Sequence, residues 1–94
     1  MSDRVVFARD VVLQVIDGEA LVLKLGDETA FALNGTGTRI AQLIEAGVEM
    51  SVVIDRLAAE YQQSRSEVER HVTNLVRVLV DKGLVIHQPS EAKP

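Results

Sequence analysis

The chain has 94 residues, no cysteine and a formal charge of −4, with 47% hydrophobic residues but only 3% aromatics. That length makes one domain with a core of Val, Leu, Ile and Ala, and the missing cysteines exclude disulfides, thiolate metal sites and cysteine nucleophiles. No apolar run approaches the roughly 20 residues of a membrane helix, Asp3, Arg4, Arg9 and Asp10 stand where a signal peptide would be apolar, and the acidic balance argues against a partner held through phosphates, so a soluble cytoplasmic protein is expected.

The first strand signal is Val11–Ile16, a β-branched run with one polar break at Gln14. Asp17-Gly18 suits a two-residue hairpin, because both central positions of a type I′ turn need positive φ. Glu19–Leu25 returns as a second strand, with Leu21, Leu23 and Leu25 on one face and Ala20, Val22 and Lys24 on the other. The leucine face is expected to cover the helices. Gly26-Asp27-Glu28 turns the chain into a short third strand, Thr29–Leu33, at the edge of a three-stranded meander, where its backbone groups are open to a partner.

Asn34 is placed to cap a first helix with Ile40, Leu43 and Ile44 as its core side, and Gly47 ends it. The intervening Gly35-Thr-Gly-Thr38 lacks the Gly-Lys-Ser/Thr ending of a phosphate loop and the third glycine of a dinucleotide fingerprint, so it reads as a tight junction. Ser51 is the expected cap of a second helix bearing Ile54, Leu57, Ala58 and Tyr61, with Tyr61 closing the core edge. Ser64-Arg-Ser-Glu67 has capping-box spacing and opens a third helix that ends at Gly83. Leu84 to His87 reads as a short extended segment, and residues 89–94 as a frayed tail beyond a domain of residues 1–88.

The third helix has more apolar surface than one contact needs. Val68, Val72, Leu75 and Leu79 form a stripe, flanked on one side by Val76 and Val80 and on the other by His71 and Val78; the apolar arc is about 200°, against about 100° for a helix packed on one side. Either the helix is buried from two directions, or one flank borders an exposed groove. An edge strand beside such a flank makes a site for an extended peptide, the strand giving backbone hydrogen bonds and the helix giving pockets for alternate side chains.

Other chemistries fit less well. His71 and His87 have no carboxylate pattern at metal-ligand spacing, so neither a metal nor another cofactor is expected, and no nucleophile is nominated for a His71 base. A winged-helix DNA reader would use the third helix for recognition, but its early exposed positions are Glu67, Glu69 and Arg70 rather than a basic cluster. A DNA-binding regulator is therefore the alternative reading.

Arg9-Asp-Val-Val-Leu13, Phe31-Ala-Leu-Asn34, Ile40-x-x-Leu-Ile44, Leu57-Ala-Ala-Glu-Tyr61 and the run Val68–Leu84, in this order, resemble the PqqD-like family, or RiPP recognition element. The resemblance implies an α+β, winged-helix-like fold, a three-stranded antiparallel sheet followed by a three-helix bundle, with no catalytic role. It implies a partner peptide, the leader of a ribosomally made precursor, which pairs beside the third strand and is presented to a modifying enzyme such as a protease, cyclase or radical enzyme. Carried onto this sequence, the peptide-binding positions are Thr29, Ala30, Phe31, Ala32 and Leu33 on the strand and Glu67, His71, Asn74, Leu75 and Val78 on the helix. The tryptophan-bearing second strand of pyrroloquinoline quinone members is missing, and the chain looks closer to stand-alone elements of lasso-peptide and related pathways.

Overall fold

The computed structural model describes residues 4–26 and 29–88. Its elements in chain order are β1 (Arg4–Phe7), β2 (Val11–Ile16), β3 (Glu19–Lys24), β4 (Thr29–Leu33), α1 (Gly35–Glu45), α2 (Met50–Tyr61), α3 (Arg65–Asp81) and β5 (Val85–Gln88). The expected tail and the turn residues Asp27 and Glu28 lie outside the described residues.

The α+β plan holds: β2, β3 and β4 form an antiparallel three-stranded sheet in that order, and three helices follow. The sequence reading missed β1, which pairs antiparallel with β5 from Arg4↔Gln88 to Phe7↔Val85. This second ladder carries Val5 and Val85 into the core and ties the two ends of the fold together. A four-residue strand whose partner lies at the far end of the chain leaves little local pattern to read.

Asp17 and Gly18 take φ of 53° and 79°, the two positive values of a type I′ turn, and Ile16 pairs with Glu19 across it. Which face of β3 meets the helices is the reverse of the expectation. Ala20 and Val22 are buried, Val22 completely, whereas Leu21 and Leu23 are only half-buried and Leu25 is exposed. The small inward side chains let α1 lie close on β3, and together with Leu33, Ile40, Ala41, Leu43 and Ile44 they build one side of the core. The outward face retains Val12, Ile16, Leu21 and Leu23 beside Ala30 and Ala32.

Asn34 caps α1 by accepting from the Gly37 amide at 2.9 Å. A Cβ on Gly37 would sit 3.3 Å from the Leu33 side chain, so the glycine allows the helix to start directly against the strand end. The expected cap of α2 is displaced: the helix begins at Met50, Glu49 occupies the cap position without a side-chain bond, and Ser51 falls inside the first turn. The Glu49 carbonyl accepts from the Val52 and Val53 amides, so backbone bonding begins the helix two residues before the serine. Tyr61 does not close the core edge; it is 44% exposed.

Ser64 accepts from the Glu67 amide at 3.2 Å, giving half of the capping box. The Glu67 carboxylate is instead engaged by Arg70 at 3.1 Å, an i,i+3 pair on the helix surface. Val68, Val72 and Leu79 seat α3 in the core, and Gly83, with φ of 75°, turns the chain into β5. A bidentate pair, Arg39 to Glu60 at 3.1 and 2.8 Å, links α1 to α2, and the bond from Arg39 holds the Glu60 carboxyl below its usual range. No helix among the described residues is long and apolar enough to cross a membrane.

Two measurements check this packing. Asn34→Ala should lower unfolding free energy by about 1 kcal/mol in denaturant titration, through loss of the α1 cap. Val22→Ala should cost about 2 kcal/mol and Leu23→Ala less than about 1 kcal/mol, the order opposite to their sizes.

Candidate functional peptide groove

The sheet ends at β4 among the described residues, and the register decides which backbone groups point off that edge. A two-residue turn makes Ile16↔Glu19 a hydrogen-bonded pair, and bonded and non-bonded pairs alternate along an antiparallel ladder. Glu19, Leu21 and Leu23 therefore direct their N–H and C=O groups to β2. The Leu25 amide continues that set by donating to the Asp10 carbonyl at 2.8 Å. Ala20, Val22 and Lys24 face β4, where their register partners are Leu33, Phe31 and Thr29. What remains for the open edge is the backbone of Ala30 and Ala32. Their side chains are methyl groups on the exposed outward face, so nothing bulky shields these donors and acceptors.

Beside this edge lies a cleft of about 290 Å³. Phe31, Ala32 and Leu33 form its strand wall, Asn34, Thr36, Gly37 and Ile40 its end at α1, and His71 and Leu75 its helix wall. The geometry separates the two flanks of α3. Val76 lines a different cavity with Val5, Met50, Ile54 and His87, on the side of β1, β5 and α2. The flank carrying His71 and Leu75 is the one that borders β4. The chief packing partners of α3 are α2 and β5, so it stands beside β4 without closing on it.

The positions named from the sequence divide into three groups. Phe31, Ala32, Leu33, His71 and Leu75 come together around the cleft. Glu67, Asn74 and Val78 are exposed on α3 at helical spacing from His71, along the same rim, with Glu67 turned toward Arg70. Thr29 sits opposite Lys24 at the far end of β4, and Ala30 supplies edge backbone without lining the cleft.

The sequence reading omitted Asn34, Thr36, Gly37 and Ile40, which line the cleft because the Asn34 cap folds α1 back against the strand end. It also omitted Lys82, whose ammonium lies 5.2 Å from the centroid of the Phe31 ring. Spacing could have found it, since Lys82 follows Leu75 by two helical turns on the same stripe. The cleft continues past the strand end into a second cavity of about 220 Å³ between α1, α2 and α3, lined by Leu57, Tyr61 and Val68 among others. Asn34, Thr36, Ile40 and His71 belong to both hollows.

Such a site does its chemistry by backbone pairing and apolar contact. No group of three His, Asp or Glu among the described residues is placed to hold a metal ion. The ion pairs Arg39–Glu60 and Arg65–Asp55 lie on exposed helix surface, and their partners are absent from the cleft walls.

Comparison with known proteins points the same way. A family model described as "Coenzyme PQQ synthesis protein D (PqqD)" matches residues 19–85. A PqqA binding protein of Rhodopseudomonas palustris (strain ATCC BAA-98 / CGA009) is 30% identical over 82 residues, covering 87% of this chain and 80% of that protein. The solved structure of TbiB1 in complex with the TbiA(beta) leader peptide superposes with a TM-score of 0.81 at 32% identity, covering 95% of this chain and 98% of that one. Lasso peptide synthetase B1 complexed with the leader peptide shares the fold at a TM-score of 0.80 and 23% identity, covering 88% of this chain and 98% of its own. By the family match and by the Rhodopseudomonas palustris relative, this chain belongs to the PqqD family.

Proposed function

We propose that this chain is a non-catalytic domain that binds the leader segment of a ribosomally synthesised precursor peptide and presents it to a modifying enzyme. The observation that carries the reading is the open β4 edge, with Ala30 and Ala32 directed outward, beside the cleft against His71 and Leu75. An extended peptide adds as a further strand, exchanging backbone bonds with Ala30 and Ala32 at a net of about 0.5–1.5 kcal/mol each. Alternate side chains of the peptide then enter the cleft, where full burial of one aliphatic side chain contributes about 1.5–3 kcal/mol.

Thr29, Ala30, Phe31, Ala32 and Leu33 make the strand side of this site, and Glu67, His71, Asn74, Leu75 and Val78 the helix side. The relatives support the ligand class, since TbiB1 was solved with a leader peptide and the Rhodopseudomonas protein is named for binding PqqA. In this reading residues 1–88 act as one domain in the cytoplasm, where precursors are translated. The partner enzyme is a protease, cyclase or radical enzyme. Nucleic acid is disfavoured by the chain's net charge of −4.

The test titrates a candidate leader peptide, taken from the nearest small open reading frame to this gene, by fluorescence polarisation. Ala32→Pro should weaken binding at least about tenfold while leaving most of the fold's stability, because proline removes an outward amide where a strand edge tolerates it. Equal affinity for the proline variant and the parent would contradict strand addition. His71→Ala and Val78→Ala should each weaken binding by roughly three- to tenfold, an interface-contact loss of about 1 kcal/mol, and Val80→Ala should leave it unchanged.

A further inference from the structure

The cleft is apolar at its α1 end, and beyond Phe31 at its other end the groove along β4 runs toward two lysines that stand outside the cleft lining. At the first, Leu33, Ile40, Leu75 and the His71 ring surround the hollow beside α1. At the other, two of the chain's three lysines converge on the C-terminus of α3. Lys24 extends from the inward face of β3 opposite Thr29, and its ammonium donates to the Gly83 carbonyl at 3.2 Å. Lys82 follows the last residue of α3 and holds its ammonium above the Phe31 ring, 5.2 Å from the centroid.

Among the described residues neither lysine is within ion-pair distance of a carboxylate, the four ion pairs there being made by Arg4, Arg39, Arg65 and Arg70. A carbonyl occupies one of the three donors of Lys24, and a ring face attracts the Lys82 charge without neutralising it. Both ammoniums therefore retain capacity for an anion. Two like charges near one helix end also repel each other, and a carboxylate bound beside them lowers that cost.

Building on the peptide-binding reading, we infer that the Lys24–Lys82 end of the groove selects an acidic side chain in the bound peptide. Inward positions along β4 recur every second residue, at Leu33, Phe31 and Thr29. A strand added to β4 keeps that period, so its inward side chains meet the apolar end first and the lysines two or four residues away. The preferred ligand is an extended peptide with an aliphatic or aromatic residue and an Asp or Glu separated by one or three residues. The pairing also fixes register, because a slip of one residue turns both side chains out of the groove.

A display library of random twelve-residue peptides, panned in parallel on the parent protein, a Lys24→Met/Lys82→Met double variant, Lys82→Glu and Ala32→Pro, tests this. Methionine keeps the length of each lysine stem, and melting curves identify any variant that is not folded. The parent should enrich peptides carrying an acid at the stated spacing from an apolar residue. Changing that Glu to Gln in a synthetic peptide should lower affinity about five- to tenfold for the parent and less than about twofold for the double variant. Lys82→Glu should shift the enriched position from acidic to basic or neutral residues. Parent-selected peptides with the apolar residue but no acid at fixed spacing would overturn the inference and leave strand addition standing, provided Ala32→Pro still fails to enrich them. Enrichment no greater on the parent than on Ala32→Pro would overturn both.

Discussion

The type I′ turn at Asp17-Gly18 is the constraint on which the site depends. With both residues at positive φ, it sets Ile16 opposite Glu19 and so fixes the phase of the ladder from β2 through β3 to β4. That phase decides which half of the β4 backbone is used within the sheet and which half is left open. A one-residue slip would exchange the roles of Ala32 and Leu33, placing a core side chain in solvent and spoiling the edge at once. Burial of Ala20, Val22 and Leu33 under the helices therefore holds the open β4 edge in register as well as stabilising the fold.

An open strand edge is also an aggregation hazard, and this one is contained. The strand has only five residues, and it runs straight into α1 through the Asn34 cap. Exposure of Glu67, Asn74 and Lys82 along the neighbouring helix keeps the mouth of the cleft polar while Leu75 and Ile40 keep its floor apolar. In the proposed reading such a groove selects an extended chain that brings its own complementary side chains. On that reading, a peptide paired there would continue the sheet, present its outward residues beside Ala30 and Ala32, and give a partner enzyme a composite surface of domain and peptide.

Much of this was legible in the residues, and the limits have physical causes. Caps and turns have local chemistry, so Asp17-Gly18, Asn34 and Ser64 located the hairpin and two helix starts correctly. Ser51 misled because α2 starts on backbone bonds to Glu49, with no side-chain cap to read. Strand alternation gave the correct period for β3 but the wrong sign, since both faces are apolar and the larger leucines looked like the core. Layer spacing favoured Ala20 and Val22 instead. Helical periodicity grouped His71 with Val78 and Val76 with Val80, but what lies opposite each flank depends on how α3 sits against α2, β4 and β5. The β1–β5 ladder is likewise a product of tertiary placement.

The most direct measurement is residue-resolved amide hydrogen exchange of β4, in the free protein and with saturating leader peptide. The register requires Phe31 and Leu33 to be protected in both states, and Ala30 and Ala32 to exchange rapidly when free and become protected when peptide is bound. Saturation of the protein with peptide while Ala30 and Ala32 continue to exchange rapidly would contradict the account.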